Sequence, residues 1–173
     1  MNALKICLIT SQYGHSWSGL GTYVTNLINS LVEKGYDITV ICPDVANEKT
    51  HQKVRLIDTM GMKFKPTLGN WFFVSYYFNK TLKGLLRKES FDIIHFADAR
   101  DSFFCKIKDI PVIGTMHDYY FAEAPINPLS YKGYYTDWGR RWLFYNSTRV
   151  MEKRTLKRLS FVITNTDYVK ESL

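Results

Sequence analysis

Gly19 and Gly21 flank Leu20 in the run Ser16-Trp17-Ser18-Gly19-Leu20-Gly21-Thr22, where a short apolar segment gives way to an amphipathic one. N–H groups at the start of a helix lack partners within it and lie at the positive end of its dipole, so Gly19, Leu20 and Gly21 are candidate phosphate donors. Of two familiar phosphate loops, one matches poorly and the other is excluded. A dinucleotide fingerprint places its glycines directly after the first strand with a third Gly or Ala, whereas here Ser11 to Ser18 intervene and Val24 holds the third place. Asp44 falls beyond the interval for a ribose-binding acid, and no GK[ST] triplet exists for a P-loop. His117 ends the apolar run Pro111 to Thr115 and projects toward the same edge as the glycine loop. Asp118 beside it suits a loop role, since Asp is common just after strands. Asp98 and Arg100 follow a third apolar run, Phe91 to Phe96. His95, inside that run, reads as a satisfied core histidine. No carboxylate pair has glycosidase spacing, Glu123 standing alone.

These residues need a scaffold that gathers chain ends. Apolar runs at Leu4 to Ile9, Ile38 to Cys42, Val54 to Ile57, Phe91 to Phe96, Pro111 to Thr115 and Phe161 to Thr164 are short and often β-branched, the signature of strands. Between the first two, Tyr23/Val24, Leu27/Ile28 and Leu31/Val32 recur every four residues and stop at Gly35, predicting a one-striped helix with a glycine cap. Residues 70 to 88 and 138 to 159 also read as helices. Strands alternating with helices predict an α/β domain, a doubly wound, mostly parallel, Rossmann-like sheet whose ligands bind beyond the carboxyl ends of the strands. The chemistry should therefore lie in 11–22, 43–47, 97–101 and 116–137.

A chain of 173 residues supports one compact domain over 1–173. The final strand is followed by Thr166, a plausible N-cap, and about two helical turns, which fits the first half of something longer better than a self-contained protein. The N-terminus lacks a basic-then-apolar leader and no apolar run approaches a membrane span, so a cytoplasmic chain is expected. Cys7, Cys42 and Cys105 are odd in number and form no CxxC, which suggests neither a disulfide framework nor a zinc site. The net charge of +7 is concentrated between Arg140 and Arg158, where Arg140, Arg141, Arg149, Lys153, Arg154, Lys157 and Arg158 face Glu152 alone. That segment is either a solvated helix flank or a surface attracted to anionic membranes or phosphate-bearing ligands. Trp142, Phe144 and Tyr145 among the cations invite nucleic-acid binding, but aromatics at helical spacing favour a core and no recognised motif accompanies them.

In order, the segments KICLITSQYG…SGLGTYVTNLINSLVEKGYDITVICP, FDIIHFAD, PVIGTMHDYYF and RLSFVITNTDYVKESL resemble the N-terminal, acceptor-side domain of retaining family-4 glycosyltransferases with the GT-B fold, over essentially the whole chain. Many members have Gly-Gly where this chain has Ser18-Gly19. The resemblance implies transfer of a sugar from a nucleotide-sugar donor to a sugar or lipid-linked acceptor, with no metal or other cofactor. A leaving nucleoside diphosphate gathers negative charge and needs aligned donors, some of which Gly19, Leu20 and Gly21 could supply. It implies that His117 contacts the transferred sugar, and Asp98, Arg100 and Asp118 are acceptor-side candidates. The base, ribose and most diphosphate contacts would come from a C-terminal domain absent from this chain, which alone should be inactive. A non-catalytic subunit pairing with a separate donor-binding chain is the alternative, and a nucleotide-dependent oxidoreductase ranks below both.

Overall fold

The computed structural model describes residues 3–46, 50–59, 62, 71–117 and 138–172. Strands β1 (Lys5–Ile9), β2 (Asp37–Ile41), β3 (Arg55–Ile57), β4 (Ile93–Phe96), β5 (Val112–Met116) and β6 (Phe161–Thr164) form one all-parallel sheet in the order β3-β2-β1-β4-β5-β6. The expected α/β class, Rossmann-like order and run of six strands are what the chain adopts. Helices α1 (Gly19–Glu33), α2 (Trp71–Leu86), α3 (Trp138–Leu156) and α4 (Asp167–Ser172) fill the segments between and after the strands.

Strand alternation sorts the core onto two faces. Ile6, Leu8, Ile38 and Val40 meet Val24 and Ile28 of α1, while Cys7, Ile9, Ile41, Ile94 and Phe96 meet Val74, Phe78 and Leu82 of α2. Helix α3 shares the α2 face, where Leu156 packs with Ala99, Met116 and Val162. Helix α1 ends where Gly35, at φ +84°, takes the left-handed conformation open to glycine. The Gly35 N–H then donates to Val32 O and the Tyr36 N–H to Leu31 O, closing the last turn.

Chain order makes β1 and β4 neighbours whose outgoing segments leave in opposite directions, β1 toward α1 and β2, β4 toward β5. A crevice opens at such a reversal, outside the carboxyl ends. A short 3-10 helix, Ala99–Ser102, which the sequence pattern does not announce, sits there directly after β4. It packs close to β5 because Gly114 has no side chain. A Cβ at Gly114 would lie 2.8 Å from Ala99 Cβ and 2.6 Å from Leu159 Cδ1.

Candidate functional site

Ser18 caps α1 in extended conformation, its Oγ accepting the Gly21 N–H at 3.2 Å. The same hydroxyl donates to Gln12 Oε1, tying the helix start to the segment leaving β1. Ser18 thus does work that a glycine in its place could not. The cap also divides the three candidate donors. Gly21 N–H is taken by Ser18 and Thr22 N–H by Ser18 O, while the N–H groups of Gly19 and Leu20 have no acceptor among the described residues. No acidic residue stands in the first turn to neutralise this end.

The glycines are not equivalent. A Cβ at Gly21 would fall 2.4 Å from His15 O and 2.9 Å from His15 Cβ, so Gly21 is required by the packing of the preceding loop. A Cβ at Gly19 meets nothing within 4 Å. Gly19 and Leu20 are therefore the donors left for an anion, and Gly21 shapes the loop. The loop is tied further by Trp17 Nε1, which donates to His15 Nδ1 at 3.1 Å, and by His15 Nε2, 3.3 Å from Asp44 Oδ2 beyond β2.

His117 follows β5 directly and is half-buried. Its Nε2 lies 2.9 Å from the carbonyl of Ala97, just past β4, and its ring stands 5.0 Å from that of Tyr23 at 79°. It therefore makes the backbone contact of an ordinary structural histidine, and makes it through one nitrogen. The Tyr23 hydroxyl is 2.9 Å from Thr115 Oγ1, which is 2.9 Å from His95 Nε2. His95 is 4% exposed, and burial together with the neighbouring His117 pushes its pKa down to about 4, leaving the ring neutral. Its role as a satisfied core histidine holds, although its partner is a side chain that leads to the site.

Asp98 and Arg100 are engaged with each other. Asp98 caps the 3-10 helix by accepting the Arg100 N–H at 3.0 Å and grips the guanidinium from Nε at 2.9 Å and from Nη2. Burial alone would raise the Asp98 pKa, but Arg100, with help from His117, outweighs it and holds the carboxyl below its ordinary value. Asp101, 6% exposed, is pushed well above the carboxylate range by burial and by the charge on Asp98. Asp118 lies outside the described residues. Tyr23 and Thr115 carried no separate signal in the sequence, because Tyr23 belongs to the apolar stripe of α1 and Thr115 to an apolar strand. No group of three or more metal-ligating side chains occurs among the described residues.

The sequence profile described as Glycosyltransferase Family 4 matches residues 17–173. No curated protein matches the chain by sequence. Among solved structures, WaaG, a glycosyltransferase involved in lipopolysaccharide biosynthesis, superposes with a TM-score of 0.54 at 12% identity over 84% of this chain. An alpha-glucosyltransferase in complex with UDP and a 13-mer DNA containing an HMU base gives a TM-score of 0.40 at 10% identity over 94% of this chain. The chain spans 35% of the first of these structures and 38% of the second.

Proposed function

We propose, since this chain belongs to glycosyltransferase family 4, that it forms the N-terminal, acceptor-side domain of an enzyme moving a hexose from a nucleotide-sugar donor to an acceptor with retention. The observation that carries this reading is one edge of the sheet. There the N–H groups of Gly19 and Leu20 are open at the uncompensated positive end of α1, and Tyr23, one turn further along, touches His117 at 5.0 Å. A diphosphate leaving group and the sugar it releases need this pairing of anion donors with a nearby polar side chain.

His117 meets the transferred sugar, and the Asp98–Arg100 pair faces the acceptor. A second domain, outside this chain, supplies the base and ribose contacts and most of the diphosphate contacts, and the chain alone does not turn over. Electrostatic stabilisation by donors replaces a metal. In the full-length protein, screened with UDP-, GDP- and ADP-hexoses for release of nucleoside diphosphate, His117→Ala is expected to lower kcat by about 100-fold or more, as for loss of one preorganised transition-state contact. An unchanged kcat would remove His117 from the reaction.

The acceptor in this reading is held at an anionic membrane surface. Phe72 and Phe73 of α2 are 43% and 58% exposed. Phe72 stacks with Phe103 and Phe104, and Phe103 lies under the Arg158 guanidinium at 5.9 Å, so exposed aromatics run into the basic segment. Along α3 a groove of about 410 Å³ is lined by Arg149, Val150, Lys153, Arg154 and Lys157, with no acid among them. Aromatic side chains beside clustered cations suit the interface of an anionic bilayer. The association in this reading is peripheral; among the described residues no helix is long and apolar enough to cross a membrane.

A further inference from the structure

We propose that Tyr23, Thr115 and His95 act as a positioning chain, holding the His117 imidazole in one ring setting and one tautomer so that Nδ1 is the atom offered to the ligand. The proposal rests on the reading that His117 meets the sugar. A carbonyl oxygen only accepts, so the contact between His117 Nε2 and Ala97 O requires the proton on Nε2, and the lone pair of the neutral ring then lies on Nδ1. That nitrogen accepts a hydrogen bond from a sugar hydroxyl. The opposite tautomer would lose the Ala97 bond and turn a donor toward the sugar.

The ring of Tyr23 limits rotation of the imidazole by edge contact at 79°. Tyr23 is itself fixed, because its hydroxyl is bonded to Thr115, a residue of β5 with no solvent exposure. One hydroxyl with a proton and two lone pairs can serve both Tyr23 and His95, and Thr115 does so. The chain crosses from α1 to β5 to β4, and the Ala97 carbonyl beyond β4 closes it back onto His117. Aliphatic side chains would fill this space between helix and sheet without the desolvation cost of three polar groups. Polar side chains linked end to end at this position are what orientation of a ring requires, whereas packing alone does not require them. Tyr23 also stands one turn from Gly19, so the same side chain joins the anion-binding end of α1 to the histidine.

Histidine ring-nitrogen NMR on the full-length protein, recorded where the rings are neutral, tests the chain without a substrate. Wild type is expected to show His117 as the single Nε2–H tautomer, and Tyr23→Phe and Thr115→Val to show a mixture. Tyr23→Phe removes one oxygen only and keeps the test open if Thr115→Val does not fold. An unchanged tautomer in the folded variants overturns the proposal. With whichever nucleotide hexose the protein hydrolyses, each variant should lose about tenfold in kcat with KM little changed, the penalty of a misplaced group. Added to His117→Ala, neither should cost anything further, and a further loss of the same size would mark a general structural role and also overturn it. If His117→Ala leaves kcat intact while the tautomer still mixes in the variants, the positioning chain stands and the reading of His117 as a sugar contact falls.

Discussion

Single side chains at the candidate site are defined as much by their neighbours as by their type. His95 illustrates this, since its neutral ring is bonded to Thr115 and its pKa is pushed down to about 4 by burial and by His117. The unfolded chain binds a proton at this histidine below about pH 6.5, and the folded chain does so only below about 4. Stability should therefore fall as pH drops through that window, by up to about 3 kcal/mol from this group, and should not fall further on its account below pH 4. Urea midpoints of wild type and His95→Gln between pH 7 and 4 would check the sign, the variant losing less over the window. Asp98 works in the opposite range. Its pKa is held below the ordinary value, so the Asp98–Arg100 pair persists through this window and fails only in stronger acid.

At the scale of elements, two glycines differ in what surrounds them, one crowded by its loop and one open. Gly21→Val should disrupt the loop before α1, because the new side chain meets His15 backbone at 2.4 Å, and melting temperature should fall. Gly19→Ala adds a Cβ where the protein has no atom within 4 Å. It should leave melting nearly unchanged while weakening binding of the donor's diphosphate, read by calorimetry with UDP or GDP on the full-length protein. Equal affinity in Gly19→Ala would leave the glycine loop as a turn and nothing more. Where β5 passes the 3-10 helix, Gly114→Ala overpacks a contact already closed to Ala99 and Leu159. A loss of about 1–3 kcal/mol is expected, seen as a lower urea midpoint, together with weaker acceptor use as the Asp98–Arg100 turn is displaced.

At the scale of the molecule, exposed aromatics of α2 meet the basic surface that follows α3. Helices α2 and α3 cover the same face of the sheet, and Phe72, Phe103 and Arg158 join their surfaces. Each cation near an anionic surface contributes about 1 kcal/mol, so Lys153/Arg154/Lys157→Ala should weaken binding to phosphatidylglycerol vesicles by about 100-fold. Co-sedimentation at low and high salt measures this. Binding that salt abolishes and the triple variant lacks supports the membrane face, and no binding at low salt returns the acceptor to solution. Arg140 and Arg141 belong to the same basic segment, but their side chains lie outside the described residues.

How much could be read before the fold was known depended on the range of the interaction. Period-two and period-four apolar patterns are local, and they located the strands within a residue or two and the stripe of α1, from which the parallel α/β architecture follows. The ordered motifs led to the family, and Gly19, Leu20 and His117 were visible as residue types at strand and helix ends. Helix α3 was readable as a helix, but the face it buries was not, because Thr148, Glu152 and Thr155 are among its buried residues and blur the apolar stripe. What the sequence could not carry is contact between distant positions. Tyr23 and Thr115 are 92 residues apart, His95 and Thr115 are 20 apart, and only the sheet order β1-β4-β5 beneath α1 brings them into one chain of hydrogen bonds. The tertiary structure likewise decided which glycine borders open space and which makes room for His15, since a missing side chain has no meaning until its neighbour is in place.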